Sequence, residues 1–266
     1  MNLYRIIKPK IVSLPIVLSV PHAGIGMPED IEYQIRGDIL PPDDTDWLVD
    51  ELYDFAGELG IPIIIANYSR WVIDLNRNPD NTPLYSDGRI ITALCTATDF
   101  LRNPIYIDKR LEVDKEELER RRTLYFEPYH YAVQHLLNET KAMFGSTLLW
   151  DCHSIRRRVI TINPEPFPDL ILGDADGTAA SSELTRIALG ELSDSDYKVA
   201  HNTPFKGGYI TRHFGKPQQN QHALQLEMAK DLYLDNNETG FDIIRADKMR
   251  ITLKQTLTTL GQYLLA

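Results

Sequence analysis

The chain has 266 residues, a formal net charge of −10 and a pI of about 5.2. An acidic chain lacks the basic surface that general nucleic-acid binding requires, so we expect no nucleic-acid partner. No apolar run approaches the roughly 18 residues that a membrane span needs, which predicts no membrane association. The length fits one large domain over residues 1–266, with enough apolar residues (43%) to bury a full core.

The two cysteines, Cys95 and Cys152, are too few for a disulfide framework. A reduced, cytoplasmic protein is the simplest interpretation. Residues 11–18 faintly resemble a signal peptide, but Pro15 interrupts the apolar run and His22 follows where a small-residue cleavage site would be needed. We therefore interpret this segment as part of a strand.

The first predicted strand, residues 16–20, ends in an irregular turn that contains one proline and two glycines, Pro21-His22-Ala23-Gly24-Ile25-Gly26. Residues 41–60 predict a helix, because apolar side chains recur there with helical spacing. Three acids stand where this helix would begin: Asp43, Asp44 and Asp46. One acid suffices to cap a helix N-terminus, so three leave room for another function.

The rest of the chain alternates strand and helix patterns. Residues 61–66 are a continuous apolar run typical of a buried parallel strand. The later predicted elements, in chain order, are a short strand within 71–79, a loop with some strand over 80–105, helices over 112–124 and 129–144, strands over 148–154 and 170–173, a helix over 178–192, a strand over 197–201, a glycine-flanked site loop over 206–215, a strand over 223–228 and a helix over 247–264. This alternation predicts an α/β fold, with a mainly parallel mixed sheet covered by helices on both faces.

Two apolar strands each end in a histidine. Residues 148–150 are followed at once by polar residues that include His153, and residues 16–20 are followed by His22. In an open α/β sheet, ligands bind just outside the carboxyl ends of the strands. His22, His153 and an acid are therefore candidates to bind one metal, because catalytic zinc takes three protein ligands and keeps one position for water.

Spacing does not determine which acid completes this set, because the two histidines lie far apart in the chain and match no compact zinc motif. Asp46 is the first choice, with Asp44 and Asp43 as alternatives. The predicted cofactor is Zn²⁺ or another divalent metal. A separate carboxylate must take the proton from the metal-activated water, and Glu227, near the end of a late strand, suits that role.

Two neighbours of His153 need a separate interpretation. Cys152 is adjacent to His153 on a strand, so the two side chains point to opposite faces and would not form a catalytic dyad. We therefore predict a packing role for Cys152. Asp151 is a candidate to orient a metal-bound histidine from behind.

Six segments resemble the N-formylglutamate amidohydrolase (deformylase) family, and they occur in that family's order. They are SVPHAG (19–24), DWLVDEL (46–52), DLNR (74–77), DCHS (151–154), GGYITR (207–212) and LEM (226–228). That family is similar in turn to zinc carboxypeptidases, in which an Asn-Arg pair binds the substrate's α-carboxylate and a late Glu is the general base. The resemblance therefore implies a zinc-carboxypeptidase-like (phosphorylase/hydrolase-like) fold.

The resemblance also implies roles for individual residues. It implies zinc on His22, an acid and His153, carboxylate binding by Asn76 and Arg77, and catalysis by Glu227. The chain departs from the carboxypeptidase pattern in one respect. Carboxypeptidases use a close His-x-x-Glu pair, whereas the third residue after the first histidine here is an isoleucine. The acid must therefore come from elsewhere in the chain.

N-formylglutamate carries two carboxylates, and arginine binds carboxylates bidentately with its planar fork. Arg77 is the candidate for the α-carboxylate. Arg70 and Arg212, both in predicted polar turns, are candidates for the side-chain carboxylate.

The leading hypothesis is metal-dependent hydrolysis of N-formyl-L-glutamate, or a close N-acyl amino acid, to formate and L-glutamate. The family's deformylase reaction belongs to histidine degradation. One alternative is a small zinc carboxypeptidase or peptide amidase, which would need an open groove instead of a pocket closed by residues 206–215. Another is a non-catalytic protein that binds amino-acid derivatives. The expected partner is a small anionic N-acyl amino acid, bound by a monomer or a small homo-oligomer.

Overall fold

The computed structural model describes residues 2–82, 93–110 and 112–266. Their strands are β1 (Tyr4–Ile7), β2 (Ile16–Val20), β3 (Ile63–Ala66), β4 (Thr147–Ile155), β5 (Leu170–Gly173), β6 (Val199–His201) and β7 (Gln221–Ala229). Their helices are α1 (Glu29–Glu32), α2 (Val49–Leu52), α3 (Lys115–Arg121), α4 (Glu127–Phe144), α5 (Ser182–Ser193), α6 (Tyr209–Phe214) and α7 (Ile243–Leu265), with a π-helical segment, Arg122–Phe126, between α3 and α4.

The seven strands form one sheet in the order β1-β3-β2-β4-β7-β5-β6. The four neighbours β3, β2, β4 and β7 are parallel. β1 and β5 pair antiparallel with β3 and β7, and β6 is parallel to β5. The predicted α/β fold with a mainly parallel mixed sheet is confirmed. Because parallel strands end at the same edge, the carboxyl ends of β2, β4 and β7 lie side by side.

Helices cover both faces of the sheet, as predicted. In β2, Ile16 and Leu18 belong to one apolar core, which α5 and α7 complete, while Val17 belongs to a second core on the α4 side. Every residue of β2, β4 and β7 is buried. Burial on two faces explains why β2 and β3 are nearly continuous apolar runs in sequence.

The C-terminal helix offers a direct test of this packing. Leu253 is fully buried in the first core, whereas Ile251 on the same helix is 66% exposed. We expect Leu253→Ala to lower the free energy of unfolding by about 2–5 kcal/mol, because it removes buried methyl groups and leaves a cavity. Ile251→Ala should change it by no more than about 0.5 kcal/mol. Urea unfolding measures both values, and equal effects would contradict the placement of α7.

Two predicted elements differ from the structure. The helix predicted over 41–60 is wrong, because only α2 and a 3₁₀ turn, Asp54–Gly57, are helical. Leu48 adopts a left-handed conformation (φ 58°) before α2, which separates Asp46 from that helix. The strand predicted within 71–79 is also wrong. There the backbone turns, with the Val72 N–H donating to Ser69 O, so the buried apolar side chains pack without pairing in the sheet.

Other predictions were incomplete. β1 was not predicted, because it has only four residues and the alternation of its burial is weak. Of the loop predicted over 80–105, residues 83–92 lie outside the described residues. The helix predicted over 129–144 begins two residues earlier, at Glu127, and ends at Phe144, with Gly145 as its left-handed C-cap. Within the three described ranges, no helix is both long and apolar enough to cross a membrane.

Candidate active site

The structure brings His22, Asp46 and His153 together in one buried cluster. One potential ligand atom of each lies within 4.8 Å of the others. Asp46 Oδ2 is 3.0 Å from His153 Nδ1 and 3.8 Å from His22 Nδ1, and the two imidazole centroids are 4.9 Å apart. The predicted two strand-end histidines and the first-choice acid therefore occupy one place at the carboxyl edge of the sheet.

The fold positions each member in a different way. His153 lies on β4 itself and is held by strand pairing. His22 follows β2 in a turn that packs directly on the end of β3: a Cβ at Gly24 would lie 2.6 Å from Ala66 O, so only glycine fits there. Asp46 lies in a loop, and its backbone N–H donates to His22 O at 3.0 Å. That bond fixes the acid beside the first histidine.

A second carboxylate lies behind each histidine. His22 Nε2 is 2.8 Å from Asp74 Oδ1, and His153 Nε2 is 3.1 Å from Asp151 Oδ2. When Nε2 donates to these carboxylates, the lone pair of each ring is on Nδ1, which faces the centre. Carboxylates in this position are typical behind metal-bound histidines, because they fix the tautomer and the orientation of the ring.

The donor set fits a divalent metal. His22 Nδ1 is buried and has no hydrogen-bond partner among the described residues. Burying an imidazole nitrogen without a partner costs free energy, and a metal ion at the centre would remove that cost. Two imidazole nitrogens and one carboxylate oxygen are a frequent ligand set of catalytic zinc.

The two histidines have opposite electrostatic environments. Burial, helped by the positive charge of Arg70 and opposed by Asp74, lowers the pKa of His22 to about 4. His22 is therefore uncharged at neutral pH, as a metal ligand must be. Burial also acts to lower the pKa of His153, but the carboxylates of Asp151 and Asp46 outweigh it and raise that pKa well above its usual value. A bound cation would displace the proton that these carboxylates favour.

The other two acids of the cluster have different partners. Asp44 accepts hydrogen bonds from Trp71 Nε1 and from the Phe100 N–H, both at 3.0 Å. Asp43 forms an ion pair with Arg156 and its side chain is nearly half exposed. Of the three acids in this loop, Asp46 is the one that lies in the histidine cluster.

Glu227 lies beside the cluster on the neighbouring strand. It pairs directly with His153 in the parallel register of β4 and β7, so the two side chains point to the same face. Gln225 Nε2 is 3.5 Å from its carboxylate. Burial raises the pKa of Glu227 to about 8, with His153 acting in the opposite direction. A metal bound nearby would stabilise the carboxylate form and bring that pKa down.

Cys152 points away from this site. Its side chain is fully buried in the first core, and burial raises the pKa of its thiol well above the usual value. Such a thiol forms almost no thiolate at neutral pH. The packing role predicted for Cys152 agrees with this environment.

Arg70, one of the four predicted substrate-binding residues, contacts the carboxylate that lies behind His22. Its guanidinium is buried and donates to Asp74 Oδ2 at 2.6 Å, the same carboxylate that contacts His22. It also lies 4.7 Å from the centroid of the Phe100 ring. Arg70 therefore places a positive charge directly behind the histidine cluster.

The other three predicted substrate-binding residues lie around this position. Arg77 NH1 donates to Asn76 O at 3.2 Å, and its NH2 is 3.7 Å from Asp74 Oδ2. Arg212 lies on α6 within the predicted site loop, and its Nε donates to Gly207 O at 3.0 Å. The side-chain amide of Asn76 is buried, and its Nδ2 donates to Asp151, the carboxylate that lies behind His153. Sequence reasoning missed Asp74, although it begins the DLNR segment in which only the Asn-Arg pair was considered.

A buried His/Asp/His cluster that could hold a metal ion and a neighbouring buried glutamate lie together at the carboxyl edge of the mixed sheet, an arrangement suited to a hydrolytic enzyme. The model of the family "N-formylglutamate amidohydrolase" matches residues 14–234. N-formylglutamate deformylases of Pseudomonas putida and Pseudomonas aeruginosa are each 36% identical to the chain over 249 residues, which cover 93% of this chain and 92% of theirs. The chain belongs to the N-formylglutamate amidohydrolase family.

Solved structures agree with this assignment. The N-formylglutamate amidohydrolase of Ralstonia eutropha JMP134 superposes with a TM-score of 0.82 at 25% identity, covering 99% of both chains. A gene product of Agrobacterium tumefaciens superposes with a TM-score of 0.74 at 15% identity, covering 98% of this chain and 96% of its own, which shows the fold alone. The predicted family and the predicted class of enzyme, an amidohydrolase, are confirmed.

Proposed function

We propose that this chain is a metal-dependent amidohydrolase that hydrolyses N-formyl-L-glutamate, or a close N-acyl amino acid, to formate and L-glutamate. Membership of the family supports the substrate class. The observation that carries the metal dependence is the buried, unpartnered His22 Nδ1, 3.8 Å from Asp46 Oδ2, in the described part of the chain. The proposed ligands are His22, Asp46 and His153, and the ion is Zn²⁺ or another divalent metal.

The bound metal would polarise the amide carbonyl and lower the pKa of the attacking water. The protein's own groups then move the proton and hold the geometry. Glu227 accepts a proton from the water and passes it to the leaving nitrogen, which becomes the amino group of glutamate. Asp74 and Asp151 hold the imidazoles of His22 and His153 so that both Nδ1 atoms face the centre.

Three arginines are proposed to bind the two carboxylates of the substrate. Arg70 has five N–H donors and uses one nitrogen for Asp74, so its guanidinium has capacity for a further acceptor beside the metal ligands. We assign the α-carboxylate to Arg77, and the side-chain carboxylate to Arg70 and Arg212. In this proposal the reaction belongs to histidine degradation.

A hydrolysis screen with metal analysis of the same sample tests the proposal. We expect the highest kcat/KM for N-formyl-L-glutamate and about one divalent ion per chain. N-formyl-L-glutamine, which lacks the side-chain carboxylate, is the matched control substrate and should be slower. Dialysis against a chelator should abolish turnover and added Zn²⁺ should restore it.

The same screen separates the alternatives. Full activity in protein shown to be free of metal would refute the metal dependence. Peptides with a C-terminal glutamate would be cleaved faster than N-formyl-L-glutamate if the chain were a carboxypeptidase. Binding of N-formyl-L-glutamate without turnover would indicate a non-catalytic protein.

A further inference from the structure

The amide of Asn76 lies behind one of the proposed metal ligands. Its side chain is buried (3% exposed). Asn76 Nδ2 is 3.2 Å from Asp151 Oδ2, 2.9 Å from His153 Nε2 and 3.4 Å from Gln225 Oε1. These contacts join the loop after β3 to both strands that carry His153 and Glu227.

Two backbone donors determine which way this amide faces. The Ile210 N–H donates to Asn76 Oδ1 at 2.8 Å, so Oδ1 must point towards the first turn of α6. The Gly208 N–H donates to Gln225 Oε1 at 2.8 Å, so that oxygen is available as an acceptor for Asn76 Nδ2. Because backbone N–H groups cannot act as acceptors, exchanging the oxygen and nitrogen of Asn76 would place two donors against each other. Nδ2 therefore faces Asp151.

The consequence for His153 follows from a shared acceptor. In the tautomer that carries the proton on Nε2, Asn76 Nδ2 and His153 Nε2 both donate to Asp151 Oδ2, and these two nitrogens, 2.9 Å apart, share the acceptor without bonding to each other. Asp151 Oδ1 is buried without a hydrogen-bond partner in the described ranges. The rotation of this carboxylate, and with it the direction of His153 Nδ1 towards Asp46, depends on the Asn76 donor. Both hydrogens of the Asn76 amide are used by Asp151 and Gln225.

The same amide also fixes the start of α6. A Cβ at Gly208 would lie 2.4 Å from the Asn76 amide atoms, so the backbone of Gly208 packs directly on that amide. Gly207 before it has a φ of 103°, which favours glycine. The Tyr209 N–H approaches Asn76 O at 3.3 Å. Asn76 therefore links a proposed metal ligand to the helix that carries Arg212.

We propose that Asn76 is a positioning residue: it orients His153 through Asp151 and fixes the N-terminus of α6, and it does not bind the substrate's carboxylate. The proposal differs from the carboxylate role that the family resemblance implies for Asn76, since both amide hydrogens face acceptors inside the protein. The inference rests on the proposed metal site. Changes to partners behind a metal ligand typically lower metal affinity about 10–100-fold.

Two variants perturb the Asn76 amide in different ways. Asn76→Asp is nearly isosteric and keeps the acceptor for Ile210, but it replaces the donors that face Asp151 with a second carboxylate. Gly208→Ala keeps Asn76 but displaces its amide through the added Cβ. Asn78→Ala is the matched control, because Asn78 lies two residues further along the same loop and its side chain contacts Thr82 and Asp80 in the described part of the chain. Thermal unfolding shows which variants remain folded.

The measurements are the Zn²⁺ dissociation constant by chelator competition, the visible spectrum of the Co²⁺-loaded protein, and kcat and KM at saturating metal. For Asn76→Asp we expect Zn²⁺ affinity about 10–100-fold weaker, an altered Co²⁺ spectrum, and a lower kcat with KM little changed. Gly208→Ala should shift the same quantities in the same direction. Asn78→Ala should match the wild type.

The opposite pattern would overturn the inference. If Asn76 binds substrate, Asn76→Asp should leave Zn²⁺ affinity and the Co²⁺ spectrum unchanged and raise KM for N-formyl-L-glutamate. A wild-type protein that binds neither ion would refute the proposed metal site, and this inference with it. Normal binding by the wild type with an unchanged Asn76→Asp variant would refute this inference alone.

Discussion

Glu227→Gln is expected to lower kcat/KM for N-formyl-L-glutamate about 10²–10⁴-fold, the usual contribution of a general base. The amide has nearly the same shape as the carboxylate but cannot accept the proton from water. Because Glu227 is not a proposed ligand, the metal content of the variant should equal that of the wild type. Steady-state kinetics with metal analysis of the same preparations measures both properties.

Glu127→Gln, an exposed change at the start of α4, is the control for this variant. Stability adds a second check. A raised pKa of about 8 means that the folded, metal-depleted protein binds a proton on Glu227 that the unfolded chain has lost above about pH 4.5. Stability therefore falls as pH rises between these values, and glutamine removes that loss. Wild-type turnover in folded Glu227→Gln would remove Glu227 from the catalytic role.

His22→Ala is expected to abolish stoichiometric metal binding and to lower kcat/KM by about 10³-fold or more. The change removes one of the three proposed protein ligands. Asp74 stays paired with Arg70, so its buried carboxylate keeps a partner. Metal analysis after gel filtration and chelator competition measures the loss of affinity.

His135→Ala is the matched control for this prediction, because His135 is more than half exposed on α4, where it contacts Glu139 away from the histidine cluster. It should retain full metal content and turnover. One metal per chain in His22→Ala, bound as tightly as in the wild type, would show that the ion binds elsewhere.

Periodicity predicted the sheet because its central strands are unambiguous. Residues 61–66 are a continuous apolar run. The segments 148–154 and 223–228 combine apolar residues with the few polar residues of the site, and no helix pattern competes with any of the three. The apolar residues of segment 41–60 recur with helical spacing, and this spacing predicts a helix. In the structure the segment contains turns and a left-handed residue before α2, and its apolar side chains are buried in the first core. Which local pattern prevails there is decided by tertiary packing, which the local sequence does not contain.

For the site, strand ends followed by histidine and the family's segments located the residues that now lie together. The choice among Asp43, Asp44 and Asp46 required the structure, because the three residues are chemically identical and differ only in the groups that they contact. The same holds for Asn76. Its residue type suits a carboxylate anchor, but the donors that would bind substrate are directed at Asp151 and Gln225, whose strands are far away in the chain.

The direct pairing of His153 with Glu227 has a mechanical consequence. Both residues lie within long, buried strands joined by a continuous ladder, so their separation is set by the spacing of neighbouring strands, about 4.8 Å, and resists thermal motion. His22 and Asp46 lie outside the strands and are joined to each other by one backbone bond. The proposed metal centre would therefore have a stiff half, which holds one proposed ligand beside the proposed base, and a more compliant half, which would adjust on metal binding. A change in the geometry of the loops that carry His22 and Asp46 would alter metal affinity before it altered the distance between His153 and Glu227.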